Sequence, residues 1–274
     1  MKFNVQLLAI FLCLIFIMPT VNAEVGIHEK GSIYVFWGWN RTEYSKSDIH
    51  FKGNGYDFTL SDVSASDRQT TVGIDPYFRP DGITLPQTNF KVGYFFEDNY
   101  ALSFGVDHMK YVMDQNQIAA IQGIISGSGD PNFDGTYTNG DTIDLSQEGF
   151  LKFEHTDGLN YLNLEINRFD KLHSFNKDLS ISAVTGAGIG ILMPRTNATL
   201  FDNKRHDEFH FAGWGTSIKG GIELNYKRFF TRTEVKFGYI NMPDIRTTES
   251  SSDKASQYFT FTELDVVFGY YFTL

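Results

Sequence analysis

The C-terminal stretch Tyr258-Phe-Thr-Phe-Thr-Glu-Leu-Asp-Val-Val-Phe-Gly-Tyr-Tyr-Phe-Thr-Leu274 narrows the possible folds more than any other part of the chain. Leu264, Val266, Phe268, Tyr270, Phe272 and Leu274 fall on one side of an extended backbone, and Glu263, Asp265, Gly269 and Thr273 on the other. Successive Cβ atoms of a strand point to opposite faces, so this period of two gives an unbroken apolar, aromatic-rich surface backed by a partly polar one. A strand of a soluble sandwich can alternate in this way. A strand that closes on an outward aromatic and aliphatic pair, in a chain that opens on an export signal, fits a membrane-spanning barrel better. Lipid takes the apolar face of such a strand and a lumen takes the polar one.

The export signal is read from residues 1–23. Lys2 supplies the charge, Leu7 to Met18 is an apolar run, and Val21-Asn22-Ala23 has the small-residue pattern for cleavage. An uncleaved anchor is the other reading, but the apolar run falls short of the ~20 residues that cross a bilayer. Cys13, the one cysteine, lies inside this segment behind Ile10-Phe11-Leu12, which lacks the small residue expected before a lipidated cysteine. The expected organisation is therefore a cleaved signal peptide, 1–23, and one barrel domain, 24–274. The mature chain then has no thiol for disulfides or catalysis. It carries 22 basic against 33 acidic residues, a net of −11, because the signal removes only Lys2. That balance argues against a nucleic-acid partner, which needs a basic stripe. No other stretch approaches a transmembrane helix, whereas 14 Tyr, 26 Phe and 25 Gly suit aromatic girdles and barrel interiors.

Following the alternation backwards gives eight strands. They run about 31–43, 88–97, 100–112, 149–169, 178–193, 208–226, 229–241 and the closing strand. Trp37 and Trp39, Phe90 and Val92, Leu102 and Phe104, Leu162 and Leu164, Trp214 and Ile218, and Val235 and Phe237 lie on their apolar faces. The connections alternate in length. Loops 44–87, 113–148, 194–207 and 242–256 are long, whereas the turns at 97–99, 170–177 and 227–228 are short. With the N-terminus in the periplasm, every long loop is extracellular and every short turn periplasmic, the asymmetry of outer-membrane barrels. The predicted fold class is thus an all-β, antiparallel transmembrane β-barrel of 8 strands. A barrel of 10 is the alternative, because residues 49–60 place Asn54-Gly55 between alternating segments, a strong hairpin signal. The charge of that hairpin and the polar stretch behind it favour an extracellular extension.

The tail resembles the closing strand of bacterial outer-membrane β-barrels. The chain as a whole resembles the small barrels of the OmpA, OmpX and OmpW type in size, topology and closing strand. The resemblance implies a Gram-negative outer membrane, with its lipid and lipopolysaccharide as surroundings. It also implies barrel-insertion machinery that reads the C-terminal strand. It supplies no motif, and function does not follow from fold.

The inward set contains Lys91, Lys219, Arg232 and Lys236 with Asp107, Glu165, Glu223, Glu234, Glu263 and Asp265. An eight-stranded bore is only wide enough to be filled by its own side chains. Buried charges must be paired, so the reading is a salt-bridged plug, with a narrow, porin-like path for small or hydrophobic solutes as the alternative. In the second long loop, Asp130, Asn132, Asp134, Gly135, Thr136 and Asp141 stand at positions 1, 3, 5, 6, 7 and 12 of a calcium-loop pattern. Ca²⁺ is therefore a candidate ligand for Asp130, Asn132, Asp134, Thr136 and Asp141. Pro131, the terminal Asp and the absence of flanking helices depart from the pattern, and surface turns use the same residues. No other cofactor is expected.

Enzymatic readings find little support. Lipid A deacylases of this architecture resemble a His-x-Ser pair, and His108-Met-Lys, His155-Thr-Asp, His206-Asp-Glu and His210-Phe-Ala all lack the serine. His206, Asp207 and His210 with Asp114 or Asp157 could imitate the rim cluster of the omptin proteases, leaving a rim-sited hydrolase of lipid A or peptide as a minor alternative. The loop aromatics Tyr56, Phe58, Tyr77, Phe78, Phe133, Tyr137 and Phe201 either pack the loops together or meet a surface partner. The expected function is a non-enzymatic outer-membrane protein acting in envelope integrity or surface interaction.

Overall fold

The computed structural model describes residues 27–68, 87–203, 205–206 and 208–273. The signal segment, Tyr77, Phe78, Asp207 and Leu274 lie outside the described residues. The described chain folds into β1 (Ile33–Tyr44), β2 (Ser47–Gly53), β3 (Tyr56–Val63), β4 (Ala65–Ser66), β5 (Thr88–Glu97), β6 (Tyr100–Met113), β7 (Ile118–Ile125), β8 (Gly135–Tyr137), β9 (Thr142–Asp144), β10 (Leu151–Ser174), β11 (Leu179–Leu192), β12 (Asn197–Leu200), β13 (Gly213–Tyr226), β14 (Phe229–Arg246) and β15 (Lys254–Phe272). Among the described residues no helix is long and apolar enough to cross a membrane.

Eight of these strands close a ring in the order β1-β5-β6-β10-β11-β13-β14-β15, with β15 pairing back to β1. Every pairing is antiparallel, as expected for neighbours joined by hairpins. Closure removes the free edge that a sheet cannot leave unpaired in lipid. The eight expected strands are the eight of the ring, with four differences in extent. The fourth continues to Ser174, the seventh continues to Arg246 and the eighth starts at Lys254, while the sixth begins only at Gly213. The periplasmic turns are tight. Asn99 and Lys227 adopt positive φ of 64° and 56° where two-residue connections reverse the chain.

The Asn54-Gly55 hairpin forms, with Gly53 facing Tyr56 and Gly55 at a φ of 84°, but it does not enter the ring. Its first strand, β2, carries on the line of β1 along the upper end of β15, pairing Lys52 with Lys254 and Ile49 with Gln257. Its second strand, β3, pairs with β7, whose far edge carries β8 and β9. The barrel therefore has eight strands in the membrane and a sheet that extends beyond it, built from the first two long loops.

Side-chain polarity inverts along the strands. In the ring, the outer face exposes Trp37, Phe90, Leu102, Phe104, Leu164, Ile166, Ile189, Ile218, Leu264 and Phe268, a belt far beyond the roughly few hundred Å² of apolar patch that a soluble monomer shows. Its lower rim carries Tyr94, Tyr100, Tyr226, Phe229 and Phe272, and its upper rim Trp214, Tyr239 and Tyr258. Above the upper rim the interior becomes apolar instead. On β15 the inward residues change from Asp265 and Glu263 to Phe261, Phe259 and Ala255, on β14 from Lys236 to Ile240, Met242 and Ile245, and on β6 from Asp107 to Met109, Tyr111 and Met113. These pack with Phe51, Phe58, Leu60 and Ile121 of the extension into one buried cluster. Inside the bilayer the solvent is lipid and the polar groups turn inward. Above it the solvent is water and the same strands carry a core of the soluble kind.

Candidate functional site

The lumen is filled in three layers. At the periplasmic end Tyr34, Phe36, Phe95, Phe169, Phe230 and Tyr271 form an aromatic layer, with ring centroids such as Phe95–Phe169 5.0 Å and Phe230–Tyr271 4.8 Å apart. The charged layer lies above it, and the apolar cluster above that. Strand parity places all ten predicted charges inward, and the structure buries every one of them to 2% exposure or less.

Register then chooses the partners. Lys91 lies 3.3 Å from Asp107, donates to Asn163 Oδ1 at 2.7 Å and also pairs with Glu165. Lys219 reaches Glu165 at 2.8 Å and Glu234 at 3.2 Å. Lys236 pairs with Asp107, with Glu165 at 3.3 Å and more distantly with Glu263 at 3.9 Å. Arg232 donates from Nε and Nη2 to Glu223 Oε2 at 2.9 and 2.7 Å, and from Nη1 to Glu234 Oε1 at 3.3 Å. The guanidinium also sits 4.9–5.4 Å from the ring centres of Tyr34, Phe36, Phe169 and Phe230, within cation–π range. Glu223 takes two further contacts, His28 Nε2 at 2.9 Å and the Tyr271 hydroxyl at 2.7 Å. Glycines make room for these long chains. A Cβ at Gly105 would stand 2.5 Å from Lys91 Cγ, and one at Gly221 would stand 2.8 Å from Glu234 Cγ.

Amides and one imidazole complete the network, and the charge pattern alone does not point to them. Asn89 Nδ2 donates to both Glu263 Oε1 and Asp265 Oδ1 at 2.7 Å, and Asn40 donates to Asn89. Asn163 Nδ2 donates to Asp107 Oδ2 at 2.8 Å, and Asn167 to Ser103 Oγ at 2.9 Å. The signal for Asn40, Asn89, Asn163 and Asn167 was their shared parity with the charges on strands whose other face is apolar. His28 precedes β1, so no alternation marks it.

The other candidate residues are not brought together. In the second long loop each carboxylate caps its own turn. Asp130 Oδ1 accepts from Asn132 N at 2.9 Å, Asp134 Oδ1 from Ser128 N at 3.0 Å and Ser128 Oγ at 2.7 Å, and Asp141 Oδ2 from Thr138 N at 2.6 Å. The Ser128 bonds hold the Asp134 carboxyl below the usual carboxylate range. Thr136 lies in β8 and pairs with Ile124. Among the described residues no group of three or more His, Cys, Asp or Glu is placed to hold a metal ion. One carboxylate oxygen each of Asp130, Asp134 and Asp141 thus serves a local turn hydrogen bond.

The rim residues are likewise engaged elsewhere. His210 donates from Nδ1 to Glu208 O and accepts at Nε2 from Arg246 N, both at 3.1 Å, and burial holds its imidazole below the usual range. Asp157 pairs with Arg205 at 3.0 Å, and Asp114 accepts from Ser66 Oγ at 2.6 Å. His206 is buried against Ala198 in a bridge. Of the loop aromatics, Tyr56, Phe58, Phe133 and Phe201 pack together, with Tyr56–Phe201 5.7 Å apart, and the Tyr137 hydroxyl caps Phe133 O at 2.8 Å.

A closed eight-stranded antiparallel ring with an apolar outer belt, aromatic rims and a polar interior defines a small outer-membrane β-barrel protein. No family model matches the chain, and no curated relative does. Among solved structures it is similar to the outer membrane protein AlkL in DMPC lipid bilayers, at 12% identity and a TM-score of 0.43, over 94% of this chain and 98% of that one. It is also similar to the outer membrane protein OprG from Pseudomonas aeruginosa, at 11% identity and 0.40, over 92% and 100%. A third is Neisserial surface protein A, at 10% identity and 0.34, over 88% and 99%. These likenesses concern the path of the chain and carry nothing about activity.

Proposed function

We propose that this protein is a non-enzymatic outer-membrane barrel that seals its own lumen and acts at the cell surface, in envelope integrity or surface interaction. One observation carries the reading. The ten ionisable side chains of the middle layer are dehydrated and tied into one network of ion pairs and amide hydrogen bonds, between an aromatic layer below and an apolar core above. A conducting path needs water or mobile ions along its length, and a bore of this size packed with paired side chains offers neither. The extension built from β2, β3 and β7 adds a folded platform outside the membrane, supported on a rigid ring, where recognition is commonly built.

Planar-bilayer recording of the purified, refolded protein tests this reading, with a general porin as positive control. The expected trace is silent at voltages where the porin conducts. Reproducible single-channel steps from the wild-type barrel would replace the sealed reading with a narrow transport path.

A further inference from the structure

Just above the upper aromatic rim, register places three cations side by side on the outer face of the barrel. Arg246 of β14 stands directly opposite Lys254 of β15, and Lys254 directly opposite Lys52 of β2. Directly opposed residues have Cβ atoms about 4.5–5.5 Å apart, so the row spans about 10 Å. All three side chains are exposed, and their sheet neighbours Ile245, Ala255 and Phe51 point into the buried core, so the row faces away from the barrel axis.

Like charges opposed across strands destabilise the sheet that carries them, and the compensation available here is partial. Lys52 shares Asp57 with His50, at 3.2 and 2.7 Å, and Lys254 reaches Asp244 only at 3.9 Å. Among the described residues no carboxylate lies within ion-pair distance of the Arg246 guanidinium. Three adjacent cations with this little local neutralisation form a surface that a multivalent anion would stabilise.

The height of the row selects the anion. Tyr258 lies on the same face of β15, four residues below Lys254. It joins Tyr239 at 6.3 Å, and Tyr239 joins Trp214 at 5.8 Å, in the upper aromatic rim. Four residues at about 3.4 Å each, on a strand tilted about 40°, raise Lys254 roughly 10 Å above that rim. The aromatic rim marks the edge of the hydrocarbon, so the row stands at the level of the lipid headgroups. Guanidinium and ammonium groups side by side match a phosphate, which takes a forked contact from the first and a point charge from the second.

We propose that Arg246, Lys254 and Lys52 form a docking surface for the headgroup phosphates of the glycolipid in the outer leaflet, in effect a lipopolysaccharide-binding strip. The proposal rests on the reading of the ring as spanning the outer membrane, and not on the sealed lumen. A conducting barrel would leave it standing.

The test uses the full refolded protein in phosphatidylcholine vesicles, titrated with fluorescent bisphosphorylated lipid A at low salt. The wild type is compared with R246Q/K254Q/K52Q and with K177Q/K227Q/R228Q, which removes the same charge at the periplasmic end. At about 1 kcal/mol per cation near an anionic headgroup, loss of the strip weakens binding by about 100-fold, while the periplasmic variant binds as the wild type does. Heat-modifiable migration verifies that each variant is folded. Equal affinity of the strip variant, or an equal loss in the periplasmic variant, overturns the proposal. Equal binding of dephosphorylated lipid A also overturns it, and so does full competition by inorganic phosphate at matched concentration, which would make the strip a site for free anions.

Discussion

Replacing Arg232 with methionine removes a lumen charge shared between two carboxylates while keeping much of its volume. The guanidinium has no exposure, neutralises Glu223 through two hydrogen bonds and Glu234 through a third, and is enclosed by four aromatic rings. Deleting one partner of a buried ion pair costs about 3–5 kcal/mol, because the other charge is left without compensation. Loss of the cation–π contacts adds about 1 kcal/mol, and methionine recovers a similar amount by packing its thioether against the same rings. The expected destabilisation is therefore about 4 kcal/mol. Glu223 keeps His28 and the Tyr271 hydroxyl, and Glu234 keeps Lys219 at 3.2 Å, which holds the loss near the middle of the range. The double variant R232M/E223Q removes both charges of the closest pair and should return to within about 1–2 kcal/mol of wild type, since buried pairs are often replaceable by neutral groups of similar volume. Equilibrium urea unfolding in lipid vesicles, followed by tryptophan fluorescence and by heat-modifiable migration, measures both. The reasoning fails if R232M loses less than about 1 kcal/mol, or if the double variant is no more stable than the single one.

Two smaller perturbations probe the ends of the molecule. At Gly93 a Cβ would stand 2.2 Å from two carbons of the Tyr34 ring, which is itself hemmed in by Phe36, Phe95, Phe169, Phe230 and Tyr271. Gly93→Ala should thus cost about 1–3 kcal/mol in the same unfolding assay, and a neutral substitution would mean that the aromatic layer is loosely packed. In the extracellular hairpin, hydrogen bonds from His50 and Lys52 hold the Asp57 carboxyl below the usual carboxylate range. Because its folded value is the lower one, Asp57 stabilises the hairpin above its unfolded pKa, and this contribution disappears as the pH falls through the folded value. With Asp57 half exposed, the effect stays under about 1 kcal/mol. Amide NMR of residues 47–63 should show opening that increases on acidification in the wild type but not in D57N, and identical pH profiles would remove Asp57 from the account.

Location, strand count and the inward set were legible in the chain because each rests on a local rule. A strand alternates its side chains whatever its neighbours do, so Lys91, Glu165, Arg232 and Asp265 are inward as soon as Phe90, Leu164, Val235 and Val266 are outward. The extra hairpin was legible in Asn54-Gly55, although whether it joined the ring was not. The change of polarity from Glu263 to Phe261 and Phe259 on the inward face was also written in the chain. Strands taken to stop at the membrane surface hid it, because β14 and β15 run past the upper rim before they turn.

The pairings were a different matter. Lys236 meets Asp107 across 129 positions of sequence, and Asn89 joins Glu263 across 174. Nothing near either residue names its partner, because register depends on how all eight strands stagger to close the ring. The same holds for Arg246, Lys254 and Lys52, which are ordinary surface charges until two registers align them. The sequence by itself determined which face each side chain occupies, since that follows from the geometry of one extended backbone. Only the tertiary structure decided what each face meets, since that follows from the closure of the whole sheet and from the boundary between lipid and water along it.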